Sequence, residues 1–472
     1  MSPFSIFAIF YMTAFLLEMV EKWEYPRFTL AFFVLITIIV FAKITRINFL
    51  IFLVLTTAYF LFFRFPEVAN HVNLMIYCNF VMIFGMIYSF IRPRYITSDH
   101  DYYDMLKPVL RISLILVYFL AGFHKLNGDF FNPEVSCAGA MLYGLLSMIK
   151  LHIFDISIVL SPLIVIATGV LVIFWEIIGG FLLAFPKIQI AILLFSWTMH
   201  SVLAIIGFVD FSALAFSLLL TFIPYSYHQV IKNYANIYFG TIRINRVHIY
   251  FIINAIGGIF SGINSNFDFY PLLTIKFISG IFFNFASFIF IMPILSMLFL
   301  PSSRPAWVGV PVLTKKMPKF MLVFPVFLFL YGMTPYLGLR TAGNFSMFSN
   351  LRTEGKFSNH LLLRSNPLKI WDYQEDVVRF IEIDDERAQI GHKYLPLKGN
   401  ELPVVEFKKL IYKWTKAGYT VPLTFEYQGK IYTTEDIVKI PRWRTDKRNW
   451  EMILMDFRII QPDRKKPNQC RW

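Results

Sequence analysis

The chain has 472 residues and a formal net charge of +14, and 57% of its residues are hydrophobic, 18% aromatic and only 16% charged. Ordinary soluble domains are about 45–50% apolar and about 25% charged. This composition, with a mean hydropathy of +0.58, excludes an ordinary soluble enzyme, a disordered chain and a nucleic-acid-binding module. The charge is uneven: residues 1–339 hold 20 Lys+Arg and 13 Asp+Glu, whereas residues 340–472 hold 24 and 17. A membrane domain over 1–339 followed by a water-facing region over 340–472 is the organisation this predicts. Acids are interspersed among the basic residues of that region, so it reads as a solvated face and not a nucleic-acid patch.

In chain order, apolar runs occupy 4–20, 27–43, 48–64, 72–91, 107–125, 156–184, 188–207, 211–225, 247–262, 271–300 and 319–339. Each is near the ~20 residues that cross a bilayer as a helix. The expectation is therefore an all-α polytopic membrane domain of about eleven spans. The runs are too continuous for barrel strands. Glu18 and the lack of a basic leader argue for a retained first span. Basic residues in the breaks divide thirteen to five between the two sides. By the positive-inside rule the N-terminus is cytoplasmic and residues 340–472 are periplasmic or lumenal, in a cell (inner) membrane.

The 340–472 region reads as a small α+β extracytoplasmic domain. Its segment LPVVEFKKLIYKWTK (402–416) has apolar Val405, Leu410, Ile411 and Trp414 at helical spacing. TVPLTFEYQGKIYTT (420–434) alternates on both sides of Gln428-Gly429, which predicts a hairpin. The chain shows no Walker loop, GxGxxG, GxSxG, HExxH or clustered metal ligands, and no metal is expected. The three cysteines form no CxxC pair, but the topology puts Cys137 and Cys470 on the same outer side, so a disulfide between them is predicted.

Ionisable groups inside apolar spans are costly and so are candidates for function. They are His71, Arg111, Lys125, Glu176 and His200. His71, Lys125 and His200 fall near the outer ends of three different spans, whereas Arg111 and Glu176 fall toward the inner half. The plain alternatives are a snorkelling lysine, interhelical hydrogen-bonding histidines, and structural ion pairing for Arg111 and Glu176. An amine in a dry apolar pocket loses its proton more readily than in water and can act as a general base. Neighbouring imidazoles can orient or share that proton. Such a pocket suits a lipophilic acid such as a hydroquinone.

The stretch RISLILVYFLAGFHKLNGDF (111–130) resembles the signature of the vitamin K-dependent gamma-carboxylase superfamily, whose bacterial members are called horizontally transferred transmembrane domain proteins. Asn70-His71 before an apolar helix is similar to a second element of that family. Glu176, with the following apolar helix, basic turn and helix ending at His200, is similar to a third. The resemblance covers roughly 70–225. It implies that Lys125 deprotonates a reduced quinone of the vitamin K hydroquinone type, with His71 at the same site. His124 stands where the carboxylases carry a second lysine, and NFSMFSNLRTEGKFSNHLLL (344–363) is similar to the bacterial relatives instead. In that segment Asn350, Arg352, Glu354, Asn359 and His360 are candidates to line a mouth above the site. The other reading is a hydrogen-bonded turn that docks the region onto the helices.

The first functional expectation is a quinol-using carboxylase- or monooxygenase-type enzyme, with Lys125 as base and His71, His124 and His200 orienting it. Its partners would be the lipid bilayer and a lipophilic quinol. The second is a non-catalytic quinone-, lipid- or partner-binding membrane protein. A transporter is disfavoured because the polar residues cluster toward one side.

Overall fold

A computed structural model describes residues 2–22, 25–42, 44–65, 69–149, 161–225, 237–239, 242–266, 272–299, 309–314, 316–355, 358–365, 368–383, 397–444, 447 and 449–470. Residues 156–160 of the sixth apolar run, and Lys43, Lys150, Lys232, Arg304 and Lys315 of the charge count, lie outside the described residues.

The membrane-type region is built of α1 (Pro3–Lys22), α2 (Pro26–Phe41), α3 (Arg46–Tyr59), α4 (Asn70–Ile91), α5 (Asp99–His124), α6 (Cys137–Ile149), α7 (Pro162–Phe174), α8 (Gln189–Ile205), α9 (Val209–Leu219), α10 (Arg246–Asn266), α11 (Leu272–Phe299) and α12 (Val323–Gly332). A short ribbon of β1 (Ile237–Phe239) and β2 (Ile242–Ile244) precedes α10. Among the described residues, five helical stretches are long and apolar enough to cross a membrane: Pro3–Val20, Arg46–Arg64, Asn70–Ile91, Asp99–His124 and Pro162–Leu182. Other apolar helices, such as Pro26–Phe41 and Gln189–Ile205, fall in the 10–17-residue class.

Why these segments form helices is visible locally. Pro26 and Pro162 open α2 and α7, where the missing N–H costs nothing. Thr45 caps α3 by accepting from the Asn48 backbone amide, and the Asn48 side-chain oxygen accepts in turn from the Thr45 backbone amide. Ser98 caps α5 through the Asp101 amide. The packing is centred on α1, which is almost wholly buried and lies against α9 and α10. The outer faces of α2, α3, α7 and α12 expose large apolar side chains, among them Leu30, Ile47, Leu163 and Phe327. A dry core inside and an apolar surface outside are what a bilayer solvent demands.

The 340–472 region contains a four-stranded antiparallel sheet of β3 (Val377–Ile383), β4 (Glu401–Pro403), β5 (Leu423–Tyr427) and β6 (Lys430–Thr434), in the order β4-β3-β5-β6. The predicted hairpin is β5–β6, and Gln428 and Gly429 both have positive φ at its turn, as a tight hairpin requires. The predicted amphipathic helix is α13 (Val404–Ala417), which ends at Gly418 in the left-handed conformation. Its Phe407, Leu410, Ile411 and Trp414 pack on Val378, Phe380 and Phe425 of the sheet. A last short helix, α14 (Trp450–Leu454), leads to the C-terminal segment.

Cys137, at the start of α6, is disulfide-bonded to Cys470. Asn350 sits beside this bond. Its carbonyl oxygen accepts from the Cys137 amide at 2.9 Å, and its amide donates to the Val135 and Asn468 carbonyls at 2.8 Å each. The end of the chain is thus pinned covalently and by hydrogen bonds to the turn that follows α5.

Candidate functional site

Lys125 is the residue that closes α5. Its amine lies 2.9 and 2.8 Å from the two carboxylate oxygens of Glu176 and donates to the Ala121 carbonyl at 3.2 Å. Both side chains are shielded, with relative exposures of 5% and 16%. The amine thus straddles the carboxylate, in contact with both of its oxygens. This geometry corrects the depth reading: Glu176 is not separated from Lys125 toward the inner half but is its direct partner.

Two backbone features bring the pair together. Glu176 stands in a single π-helical turn, Trp175–Gly179, that interrupts the helix begun at Pro162. Such turns re-aim side chains and recur at functional sites. Gly122 of α5 faces this turn. A Cβ there would sit 2.6 Å from Ile177 Cγ1 and 3.0 Å from Glu176 Cβ. Absence of a side chain at Gly122 therefore permits the close approach, one turn before Lys125. Gly180 does the same against Tyr118, where a Cβ would fall 2.8 Å from the tyrosine Cβ.

The histidines have other partners. His200 Nε2 is 2.7 Å from the Tyr118 hydroxyl, and its Nδ1 has no hydrogen-bond partner among the described residues. His124 Nδ1 is 3.0 Å from the Tyr336 hydroxyl, and its Nε2 likewise has none. His71 Nε2 lies 2.9 Å from Glu18 and 2.9 Å from Asp210. Arg64, in a second π turn (Phe60–Arg64), reaches the other oxygen of Glu18 at 3.4 Å. The expected convergence of His71, His124 and His200 on the Lys125 amine is thus replaced by hydrogen bonds to other groups. Phe211 links the parts, its ring centroid 6.4 Å from that of His71 and 5.2 Å from that of His200.

Arg111 is fully buried, and among the described residues it makes no ion pair of the kind anticipated. Its guanidinium donates to the Pro311 carbonyl at 2.6 Å and, through Nε, to the Thr221 carbonyl at 2.8 Å. It ties α5 to two distant chain segments and takes no part in the Lys125–Glu176 pair.

Residues 344–355 and 358–363 lie on the same end of the bundle as Lys125 and His71. The Phe345 amide donates to Asn70. Asn127 donates to the Ser349 carbonyl at 2.6 Å, and the Leu361 amide to the Leu126 carbonyl at 2.8 Å. Arg352 donates to the Arg464 carbonyl, Asn359 to Asp129 and Asn350, and Glu354 accepts from the Thr353 amide. These side chains bond the chain to itself, which is the docking role. His360 bridges most directly: its Nε2 is 2.9 Å from the Phe123 carbonyl, and its Nδ1 accepts from the Leu362 and Leu363 amides at 3.2 Å each. Those partners require the neutral ring with its proton on Nε2.

Burial pushes the His360 imidazole below its usual value, against the opposing hydrogen bond to Phe123. The unfolded form then binds the proton more readily than the docked form. Docking stability is present above the ordinary histidine value of about 6.5 and is lost as pH falls below it. Limited proteolysis of the 344–363 segment should accelerate between about pH 6.5 and pH 5. His360→Gln should flatten that dependence, and an unchanged pH profile in this variant would reject the assignment.

Comparison with known proteins adds no relative. The chain matches no family model, no curated protein and no solved structure. The site's chemistry therefore rests on its own geometry. Glu18 and Asp210 are the two polar residues that sequence reasoning passed over as site members. Their signal was available: each is an acid within or at the head of an apolar run.

Proposed function

We propose that the chain is an eleven-span membrane protein, cytoplasmic at its N-terminus and with residues 340–472 outside, whose Lys125–Glu176 pair is an acid–base site for a lipophilic acid such as a quinol. The carrying observation is the shielded pair itself, with the amine 2.9 and 2.8 Å from the two carboxylate oxygens. Two buried imidazoles, His124 next to Lys125 in the chain and His200 hydrogen-bonded to Tyr118 of α5, each have a ring nitrogen lacking a protein partner among the described residues and add proton-handling capacity. The Cys137–Cys470 disulfide supports an oxidising compartment for this end of the molecule.

The proton balance is simple. Transfer within the pair converts ammonium and carboxylate to amine and carboxylic acid, with no change in net charge. The amine then takes a proton from a quinol hydroxyl, leaving a quinolate beside an ammonium. The resemblance to the gamma-carboxylase superfamily implies that dioxygen then adds to the quinolate.

A second reading has its own support: the amine already donates to Glu176 and Ala121, as a structural staple would. The test is Lys125→Ala in detergent or nanodiscs, assayed for quinol oxidation and for thermal melting. The proposal expects lost turnover in a protein that still melts cooperatively. Wild-type quinol oxidation by the variant would end the base assignment. A wild-type protein without turnover would favour the staple.

A further inference from the structure

Glu18 of α1, His71 of α4 and Asp210 of α9 are brought together from three helices, and all three are buried. A single atom, His71 Nε2, faces one oxygen of each acid at 2.9 Å. A ring nitrogen offers one proton or one lone pair along one axis. A proton there serves one carboxylate well and the other poorly. A cation in the space between them serves all three groups at once. Bonds of about 2.0–2.2 Å to imidazole nitrogen and carboxylate oxygen place neighbouring ligand atoms roughly 3 Å apart. The three ligating atoms all lie within 4.8 Å of one another.

We propose that Glu18, His71 and Asp210 bind a divalent first-row transition cation of the zinc or manganese class. Two carboxylates, a neutral imidazole and the Arg64 guanidinium on Glu18 carry one net negative charge, so a divalent ion leaves one positive charge that a bound hydroxide or other anion would balance inside the apolar bundle. Arg64 engages Glu18 Oε1 at 3.4 Å, while Oε2 faces His71. That division fixes the carboxylate's orientation, as outer-shell partners of metal sites do. His71 and Asp210 stand in the first turns of α4 and α9. The chain over the start of α4 is held there by Asn73, which donates to the Gly343 carbonyl at 2.8 Å. His71 and Asp210 thus lie at the end of the bundle that the Gly343 segment covers. Three protein ligands leave coordination positions for water or an exogenous ligand. The site shares no residue with the Lys125–Glu176 pair and stands whether or not that pair is catalytic.

Protein purified in detergent and stripped with a chelator is titrated with Zn2+ or Mn2+, and metal is counted by mass spectrometry against a detergent blank. The expected result is one tightly held equivalent per chain and a higher melting temperature. Glu18→Gln and Asp210→Asn should each lose that equivalent, whereas Lys125→Ala should keep it. Should those variants fail to fold, Co2+ added to the wild-type protein still decides, since its visible bands report ligation by nitrogen and oxygen. No bound equivalent in the wild type, absent cobalt bands, or undiminished metal in folded Glu18→Gln and Asp210→Asn would overturn the site and leave a proton shared among the three groups.

Discussion

Glu176→Leu should destabilise the solubilised protein by about 3–5 kcal/mol, because it strands the Lys125 ammonium in a shielded site without its counter-charge. Lys125 is only 5% exposed, so water cannot replace the lost carboxylate. Lys125→Met should cost a similar amount by stranding Glu176. The double variant Lys125→Met/Glu176→Leu should regain most of the loss, since two apolar side chains fill the space with no charge left over. Denaturant or thermal melts of the four proteins close the cycle. Additive penalties would mean that the two groups do not share one dry environment. The double variant also separates the two functional readings: a staple is restored by it, whereas an acid–base site stays inactive in a stable protein.

The helical scaffold was largely legible because its signal is local. The run 72–91 falls inside α4, the run 107–125 ends one residue past α5, and most of the 402–416 periodicity falls on α13. The alternation around Gln428-Gly429 became the β5–β6 hairpin. Depth along a helix was less legible. Counting residues from a span's end assumes a regular helix of known start. The helix carrying Glu176 starts only at Pro162 and is reset by its π turn, so the acid comes level with the end of α5. Partner choice was least legible. Tyr118 and Tyr336 hold His200 and His124, yet nothing distinguishes them among 24 tyrosines in an aromatic-rich chain. Likewise Glu18, His71 and Asp210 meet only after three helices pack, and no spacing rule in one segment can announce that.

The same logic singles out Gly122 as the residue on which the pair's geometry turns. Most helix-interior glycines cost stability and would be improved by alanine. Here a Cβ would meet Ile177 Cγ1 at 2.6 Å, Glu176 Cβ at 3.0 Å and the Ile177 amide nitrogen at 3.2 Å. The last contact is backbone, so rotamer changes alone cannot relieve it. Gly122→Val should therefore push the π turn away from α5, at a cost of about 1–3 kcal/mol in stability. The displaced turn carries Glu176, so the Lys125–Glu176 contact should lengthen and any activity that depends on it should fall. Gly128→Ala is the matched control: no atom lies within 4 Å of a Cβ there, and its change should stay within about 0.5 kcal/mol. Equal melts for the two variants would show that α5 and the Trp175–Gly179 turn do not approach as closely as described. A stable Gly122→Val protein that retained full turnover would separate the pair's spacing from its chemistry.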